Sequence, residues 1–431
     1  MTRRLAPLAV PRGPDVLHVL PALRAALRGD GPALLPHAEG TAPPSALRPG
    51  EPLTADEDDD ADPTVAVLAT SGSTGRPKGA LLTASALLAS ASATHDRLGG
   101  PGRWLLALPA AHVAGLQVLL RSMITGTEPG VVDLSNGFDP AAFTVAARAL
   151  PGGRRYTALV PTQLRRLLDT GRAARAALAG FDAVLVGGAA TAGALLAEAR
   201  AAGVAVVTTY GMSETCGGCV YDGVPLGGVR VEVDAADGRV RLGGPVVARG
   251  YRHGLPGLPG GTVPNGAFTT DPAGTRWFRT DDAGRLGPDG VLEVLGRLDD
   301  VIVTGGVKVA PGAVEAAILH LPEVREVVVV GVPDAEWGER VVAVVVPAPG
   351  LPEPTLDGVR AAVGERLDRQ AAPRQLLLVD RLPLRGPGKP DRARLRALAS
   401  GATPDVGAPA AADITAAAAV APEDAGGRPA G

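Results

Sequence analysis

The sequence predicts an α/β protein with a large N-terminal domain of helix-covered parallel sheets, a β-rich subdomain within it, and a small α+β domain after it. Between residue 64 and about residue 210, short apolar runs alternate with amphipathic segments, as in parallel strands covered by helices. Between 226 and 297, short strands and glycine-rich turns replace this alternation. We therefore place the N-terminal domain at 1–298, its β-rich subdomain at about 226–297, and the C-terminal domain at 299–400.

The first 63 residues show weaker secondary-structure patterns. Residues 16–29 predict a short helix, and a proline-rich connector is expected to follow up to about residue 50. The acidic run Ala55–Asp62 is interpreted as a solvated linker, because like charges repel one another and stay hydrated. Its spacing does not match a calcium loop, since it lacks a glycine at the turn position and a closing glutamate.

The alternating region predicts strands that are each followed by a helix. The clearest helix start is at Asp139, which can cap the helix, with Pro140 at its first position. The predicted strands cover 64–70, 103–109, 131–135, 156–160, 181–188 and 204–211, and the predicted helices begin near residues 83, 113, 139, 161 and 192.

The segment Gly296–Gly306 is interpreted as the boundary at which the C-terminal domain begins. Alanine, proline and glycine dominate residues 401–431, which predicts a disordered tail. Between these segments we expect helices at 312–321 and 355–367 and strands at 325–332, 339–347 and 375–380.

Composition narrows the function classes. The chain has 431 residues, 46% of them hydrophobic, and a formal net charge of −3, which gives no reason to expect a nucleic-acid partner. Two cysteines are not a disulfide framework and fit a reducing compartment. No run approaches the ~18 apolar residues of a membrane helix. We therefore expect a soluble cytoplasmic protein without membrane insertion.

The segment Thr70–Thr83, TSGSTGRPKGALLT, predicts a phosphate-binding loop between a strand and a helix. Backbone N–H groups and hydroxyls bind anions, and a lysine adds a point charge, so a polyphosphate is the expected ligand. The segment lacks the Gly-Lys-Ser/Thr of the commonest phosphate loop, and no strand is followed by a dinucleotide-binding fingerprint. The candidate residues are Thr70, Ser71, Gly72, Ser73, Thr74, Gly75, Lys78 and Gly79.

Six further segments follow the loop. In this order, the seven segments resemble the motifs of the acyl-adenylate-forming superfamily, which contains acyl- and aryl-CoA ligases, peptide-synthetase adenylation domains and luciferases. The six are LPAAHVAGL (Leu108–Leu116), VGGAA (Val186–Ala190), YGMSETCG (Tyr210–Gly217), RTDD (Arg279–Asp282), GRLDD (Gly296–Asp300) and LPLRGPGKPDR (Leu382–Arg392).

Three features depart from the superfamily pattern. Ser213 replaces the usual threonine but keeps the hydroxyl, and Asp281 replaces the glycine of Thr-Gly-Asp, so the backbone there is expected to differ slightly. The phosphate loop begins at residue 70, earlier than is common. This compact length and the YGMSETCGG motif resemble the o-succinylbenzoate–CoA ligase branch, which serves menaquinone biosynthesis.

The resemblance implies that ATP and a small carboxylic acid form an acyl adenylate and that coenzyme A then forms the thioester. It implies that Glu214, with Thr74, binds Mg²⁺, that Asp282 bonds the ribose hydroxyls, and that Arg297 reaches the ribose or a phosphate. Tyr210 would stack on adenine. The further nucleotide-binding residues are Gly188, Ala189, Gly211 and Ser213.

Two lone side chains gain a role only from the resemblance. Lys389 would bridge the carboxylate and the α-phosphate in the first step, although a lysine in GPGKP is by itself more often solvated surface. His112 would border the acyl pocket and gate thiol access. Cys216 and Cys219 are expected to pack in the pocket wall, since zinc would need two more ligands. The other implied pocket residues are Gly187, Met212, Ser213 and Gly217.

For the thioester step, the resemblance implies that the small domain is mobile and rotates at Asp299. Residues Thr304–Lys308, with Gly305 and Gly306, would then line the coenzyme A tunnel. The alternatives are another aryl- or acyl-CoA ligase, a carrier-loading adenylation enzyme, or a non-catalytic nucleotide-binding sensor. The sequence is compatible with a homo-oligomer.

An o-succinylbenzoate ligase must also hold the ring carboxylate of its substrate. No lysine or arginine lies inside the pocket motifs Leu108–Leu116, Val186–Ala190 or Tyr210–Gly217. We therefore expect hydroxyls, backbone N–H groups and ordered water to hold it, with a cation only at a greater distance. The Ser213 hydroxyl and the turn Cys216–Cys219 are the nearest candidates.

Overall fold

The computed structural model describes residues 3–71, 77–252, 266–385 and 389–401. The chain divides into two compact units, one of Met1–Thr191 with Leu195–Val294, and one of Ala192–Ala194 with the chain from Leu295 onward.

Helices occur throughout both units. Asp139 caps one of them as predicted, with its carboxylate accepting bonds from the N–H groups of Ala141 and Ala142 at 2.9 and 3.2 Å. The α-helices are α1 (Leu20–Leu27), α2 (Ala84–Arg97), α3 (Val113–Ile124), α4 (Pro140–Ala149), α5 (Pro161–Asp169), α6 (Arg172–Ala179), α7 (Gly193–Ala201), α8 (Pro311–Ile318), α9 (Leu356–Gly364) and α10 (Arg392–Ala399). Short 3₁₀ helices cover Pro14–Val19, Ser45–Leu47, Ser213–Thr215 and Arg369–Ala371.

One sheet of the first unit has the order β1-β2-β3-β4-β14. Its first three strands are parallel, whereas β4 is antiparallel to both β3 and β14. The expected helix at 16–29 is present as Pro14–Val19 and α1, but the expectation of only a helix and a connector before residue 50 is wrong, because β1 and β2 lie there. The strands are β1 (Leu5–Val10), β2 (Ala33–Ala38), β3 (Thr64–Ser71), β4 (Pro77–Thr83) and β14 (Tyr251–Arg252).

The second sheet has seven strands in the order β11-β10-β9-β8-β7-β5-β6. The strands from β9 to β6 are parallel and are connected through helices, which confirms the predicted α/β class. The strand expected at 131–135 is shorter and covers Gly130–Val131. The strands are β5 (Arg103–Leu106), β6 (Gly130–Val131), β7 (Arg155–Leu159), β8 (Ala183–Gly187), β9 (Val206–Met212), β10 (Gly217–Tyr221) and β11 (Val224–Pro225).

The third sheet lies where the sequence predicts short strands. Its order is β12-β13-β16-β15, with β17 paired to β16. The strands are β12 (Arg230–Val233), β13 (Arg239–Gly243), β15 (Phe268–Thr270), β16 (Arg276–Leu286) and β17 (Leu292–Arg297).

In the second unit, helices cover both faces of the sheet β19-β18-β21-β20, in which β22 lies beside β21. Successive valines of β20 point to opposite faces: Val327 and Val329 share a core with α8 and α9, and Val328 and Val330 share one with α10. The strands of this unit are β18 (Ile302–Thr304), β19 (Val307–Val309), β20 (Val324–Asp334), β21 (Gly338–Pro347), β22 (Gln375–Leu378), β23 (Leu384–Arg385) and β24 (Lys389–Pro390).

The acidic run at 55–62 is partly buried, so its interpretation as a solvated linker is wrong. Glu57 is only 4% exposed. Its carboxylate accepts bonds from Arg252 at 2.6 Å and from Arg48 at 3.2 Å. Asp58 pairs with Arg3 at 3.0 Å. Arginines from other segments neutralise carboxylates of the run, so that part of it can be buried.

None of the helices within the described ranges is both long and apolar enough to cross a membrane.

Candidate active site

The predicted phosphate loop connects two antiparallel strands, not a strand and a helix. Residue pairs Thr70–Lys78 and Ser71–Pro77 bring β3 and β4 together, and α2 begins only after β4. The predicted helix start near residue 83 is confirmed, because α2 begins at Ala84, but the pattern did not predict strand β4 before it. Of the candidates in this segment, Gly72, Ser73, Thr74 and Gly75 lie outside the described residues.

Lys78 and Glu214 meet at one aromatic ring. The Tyr251 hydroxyl donates a hydrogen bond to Glu214 Oε1 at 2.7 Å. Lys78 Nζ lies 5.4 Å from the centre of the same ring, within range of a cation–π contact. Glu214 and Tyr251 are 7% and 8% exposed. Burial, and then the Glu214 carboxylate, raise the pKa of Tyr251 far above its usual range, so its phenol stays a donor. Two motif segments are therefore joined at Tyr251, which the sequence did not single out.

Tyr210 and Asp282 also lie side by side. The Tyr210 hydroxyl donates to Asp282 Oδ2 at 2.7 Å, and burial, followed by the Asp282 charge, raises the pKa of Tyr210. The Thr280 hydroxyl fixes the Asp282 backbone by accepting a bond from its N–H at 3.0 Å. The structure thus brings Tyr210 and Asp282 together, and their contacts with adenine and ribose stay predictions.

Asp281, which stands in place of a family glycine, fits an ordinary strand. Its residue lies inside β16 and does not have a positive φ angle. Its carboxylate pairs with Arg239 at 3.0 Å. A glycine is therefore not required here by the backbone.

The carboxyl ends of β8 and β9 form the next part of the site. Gly187 ends β8, and Gly188 and Ala189 follow it, while Met212 ends the neighbouring parallel strand. Ligands of open α/β sheets bind at such carboxyl edges. The residues of β9 after Val206, which include Gly211, are half-buried, and so is Ser213. This exposure fits a strand that borders a cleft.

The predicted acyl-pocket wall is built where α3 meets the start of β10. His112 is the N-terminal cap residue of α3 and is exposed. Gln117, one turn further along, donates from Nε2 to the Cys216 carbonyl at 2.8 Å. A side chain at Gly217, whose φ is +104°, would lie 3.4 Å from Gln117, so glycine suits this contact. Gln117 is 1% exposed, and its Oε1 has no hydrogen-bond partner among the described residues.

The two cysteines belong to this wall. Cys216 and Cys219 are both fully buried and free. Burial raises the pKa of Cys219 to about 12 and that of Cys216 also well above its usual value. Such thiols are protonated and poor nucleophiles, which agrees with the packing role expected from the sequence.

A buried arginine lies one further helical turn along α3. Arg121 is 3% exposed. It donates to Thr94 Oγ1 at 3.1 Å and to the Tyr221 hydroxyl at 3.4 Å, and it lies 4.8 Å from the centre of the Trp104 ring. In the described part of the chain it forms no ion pair with a carboxylate, and its Nε has no partner. Burial lowers the pKa of Arg121.

His95, whose pKa the charge of Arg121 affects, is a neutral neighbour. His95 Nε2 accepts a bond from Trp104 Nε1 at 3.1 Å. Burial, and then the charge of Arg121, lower the pKa of His95 to about 4. The imidazole is therefore neutral at physiological pH, and no carboxylate of the described residues pairs with the Arg121 guanidinium.

The second unit carries the remaining candidates. Arg297 and Asp299 form a two-bond ion pair, with 2.7 Å in each bond. Gly305 and Gly306, at φ angles of +55° and +79°, form the two-residue turn between β18 and β19, which requires residues that accept positive φ. A side chain at Gly305 would lie 2.8 Å from the Trp337 ring. Lys389 is described at its backbone, in β24.

The family is shown by comparison with known proteins. The family model described as "AMP-binding enzyme" matches residues 15–252, and the model of its C-terminal domain matches residues 313–389. The chain belongs to the AMP-binding enzyme family. The bonded residues Tyr210 and Asp282 lie in the unit that carries the first match, and so do Lys78 and Glu214, which both contact Tyr251.

Several members of the family are similar over most of their length. A probable 2-succinylbenzoate–CoA ligase of Mycobacterium tuberculosis is 51% identical over 394 residues, which cover 90% of this chain and 97% of that protein. A 2-succinylbenzoate–CoA ligase of Bacillus licheniformis is 32% identical, covering 80% and 72%. A solved o-succinylbenzoate CoA synthetase of Bacillus subtilis, in complex with its acyl-adenylate intermediate, is 27% identical with a TM-score of 0.63, covering 78% and 69%.

The motifs of the AMP-binding family led to some site residues and not to others. They gave Tyr210 and Asp282, which bond each other, and Lys78 and Glu214, which both contact Tyr251. They missed Tyr251, which lies in the short strand β14. They also missed Gln117 and Arg121, although two polar residues within the apolar helix α3 are a signal that could have been noticed.

Proposed function

We propose that this protein is an AMP-forming acid–coenzyme A ligase whose acid is 2-succinylbenzoate. The observation that carries this proposal is the 51% identity to the Mycobacterium tuberculosis relative, over 97% of that protein. The bond between Tyr210 and Asp282 supports the nucleotide half of the reaction, and so do the contacts of Tyr251 with Lys78 and Glu214.

The first step needs orientation and charge neutralisation more than covalent help from the protein. A carboxylate oxygen of the acid attacks the α-phosphorus of ATP, and pyrophosphate leaves. Lys78 offers a positive charge at the end of the phosphate loop. Asp282, oriented by Tyr210, would accept bonds from the ribose hydroxyls. Lys389 would neutralise the charge between the two reacting groups.

Glu214 fits a magnesium ligand. It is a buried carboxylate held by one hydrogen bond from Tyr251, and carboxylate oxygens are donors that Mg²⁺ prefers. Mg²⁺ in nucleotide sites binds through one or two carboxylates and the phosphates, so few protein ligands are needed. When bound, it would neutralise phosphate charge. Thr74, the second proposed ligand, lies outside the described residues.

The second step transfers the acyl group from AMP to the coenzyme A thiol, and AMP leaves. We propose that the chain from 299 to 400 acts as a domain that rotates at Asp299 between the two steps. The Gly305–Gly306 turn would then line the coenzyme A tunnel, and exposed His112 would border the path of the thiol. Because the reaction consumes ATP and coenzyme A, we place it in the cytoplasm.

The ring carboxylate of 2-succinylbenzoate needs a partner deep in the acyl pocket. Gln117 and Arg121 lie four residues apart on the buried face of α3, and Gln117 donates to the Cys216 carbonyl of the pocket motif. Burying an arginine without an anion costs free energy, which a ligand carboxylate would offset. We propose that Arg121, directly or through water held at Gln117 Oε1, is the distant cation that the sequence left open.

The test is product analysis with the purified chain, ATP, Mg²⁺, coenzyme A and a panel of carboxylic acids. We expect AMP, pyrophosphate and a coenzyme A thioester in equal amounts, with 2-succinylbenzoate as the best acid. Formation of ADP, or no turnover with any acid, would exclude the ligase class. A better simple aryl or fatty acid would exclude the substrate.

A further inference from the structure

Tyr251 is the shared neighbour of two opposite charges. Its hydroxyl bonds the Glu214 carboxylate at 2.7 Å, and its ring faces Lys78 Nζ at 5.4 Å. The hydroxyl and the ring face serve separate partners, so a single substitution can remove one contact and keep the other.

The surrounding structure fixes the ring from several sides. Tyr251 is paired with Ala80 in the β4–β14 ladder, two residues from Lys78. The Phe268 ring packs against it edge-on at 5.0 Å. The Ala248 N–H also bonds the Glu214 carbonyl at 2.8 Å. The backbone of this segment is therefore tied both to the strand of Lys78 and to the residue that Tyr251 orients.

The next residue anchors the strand. Arg252 has a fully buried side chain, which pairs with Glu57 at 2.6 Å and donates to the Leu47 carbonyl at 2.7 Å. A buried ion pair with full hydrogen bonding fixes one geometry. Tyr251 consequently has little freedom to turn away from Glu214.

We infer that Tyr251 is a positioning residue that holds the Glu214 carboxylate in the orientation needed for a metal–nucleotide complex and keeps Lys78 beside it. This inference rests on the proposed function, because it takes Glu214 and Lys78 as the residues that receive metal and phosphate. Groups that bond a metal-binding carboxylate orient it, and removing them costs about 10-fold or more in metal affinity.

The experiment measures binding of α,β-methylene-ATP, with saturating Mg²⁺ and with EDTA, in the absence of any acid. In Tyr251→Phe the ring remains for Lys78, whereas the bond to Glu214 is lost. We expect the tightening of nucleotide binding by Mg²⁺ to fall by about 10-fold, with binding in EDTA unchanged. Tyr251→Leu, which also removes the ring, should in addition weaken binding in EDTA by about 3-fold.

A matched control removes another buried tyrosine hydroxyl. Tyr156 donates to the carbonyls of Leu98 and Gly100 at 3.0 Å each, in another sheet. Tyr156→Phe should leave the Mg²⁺ effect at the wild-type value. Tyr251→Phe added to Glu214→Gln should cause no further loss, because Tyr251 acts through Glu214.

The outcomes separate this inference from the proposed function. An unchanged or stronger Mg²⁺ effect in Tyr251→Phe, an equal loss in Tyr156→Phe, or no Mg²⁺ effect in the wild type would each overturn it. A wild type that binds metal and nucleotide as expected but turns over no acid would overturn the proposed function and leave Tyr251 in its positioning role.

Discussion

Arg297 and Asp299 hold each other in a two-bond ion pair, from Nε to Oδ1 and from Nη2 to Oδ2, each at 2.7 Å. The first residue is proposed to reach the nucleotide, and the second is proposed to be the hinge. With side chains 45% and 31% exposed, the pair contributes little to stability. Its geometry links the two proposed roles, because Arg297 must leave Asp299 before its guanidinium can bond a nucleotide with the same donors.

The proposed hinge can be tested with Asp299→Pro. Proline fixes φ at about −65° and blocks the torsion on which rotation depends. We expect a single turnover to release pyrophosphate but to stall before the thioester, as measured by quenched-flow analysis. Asp299→Ala is the control, since it removes the ion pair with Arg297 and leaves φ free. Normal thioester formation by the proline variant would place the hinge elsewhere.

The proposed role of Lys389 predicts the opposite pattern, in which the first half-reaction is impaired and the second is largely spared. Lys389→Ala should slow pyrophosphate release on the order of 10²-fold, because the first step loses its charge neutralisation. It should largely spare thioester formation from a pre-made acyl adenylate, which does not need this lysine. The measurement compares both half-reactions in the same preparation. Equal losses in the two would contradict the assignment.

The buried ion pair of Glu57 with Arg252 predicts a large stability effect. Glu57→Ala leaves a fully buried guanidinium without its carboxylate, which should lower the free energy of unfolding by about 3 kcal/mol in urea titrations. The exposed pair Arg28–Asp30, with side chains 62% and 63% exposed, supplies the control. Asp30→Ala should cost less than about 1 kcal/mol. Similar small effects in both variants would show that Glu57 is solvated after all.

Arg121 predicts a change in specificity without a loss of stability. Arg121→Met fills a similar volume and removes a buried charge that pairs with no carboxylate of the described residues, so the melting temperature should not fall. We expect kcat/KM for 2-succinylbenzoate to drop on the order of 10²-fold. The value for 4-oxo-4-phenylbutanoate, which lacks the ring carboxylate, should change little. A parallel drop for both acids would remove Arg121 from substrate recognition.

Local patterns predicted the elements that repeat and missed those that depend on distant partners. The alternation from β5 to β9 was readable because each apolar run is followed by an amphipathic helix. Strand β1 was missed because it contains Pro7, which is tolerated there since β1 lies at the edge of its sheet. Strand β4 was read as loop, because a short apolar run after Pro-Lys-Gly does not distinguish strand from helix start.

The candidate site shows the same contrast between residues that lie in local motifs and residues whose roles depend on distant partners. Lys78, Glu214, Tyr210 and Asp282 lie in contiguous motifs, so the sequence could name them. Tyr251 could not be named, because its role depends on β14 pairing with β4 across more than half of the first unit. Glu57 was misread for the same reason: the arginine that buries it is 195 residues away in the chain.

We propose that the acid is 2-succinylbenzoate and that the site bonds its ring carboxylate. The most direct measurement is kcat/KM of the wild type for coenzyme A thioester formation from 2-succinylbenzoate and from 4-oxo-4-phenylbutanoate. A site built for a charged group leaves its own donors unpaired when that group is missing, so we expect a preference between about 10²-fold and 10⁴-fold for 2-succinylbenzoate. Equal or better use of 4-oxo-4-phenylbutanoate would contradict the account and indicate a ligase for a simpler acid.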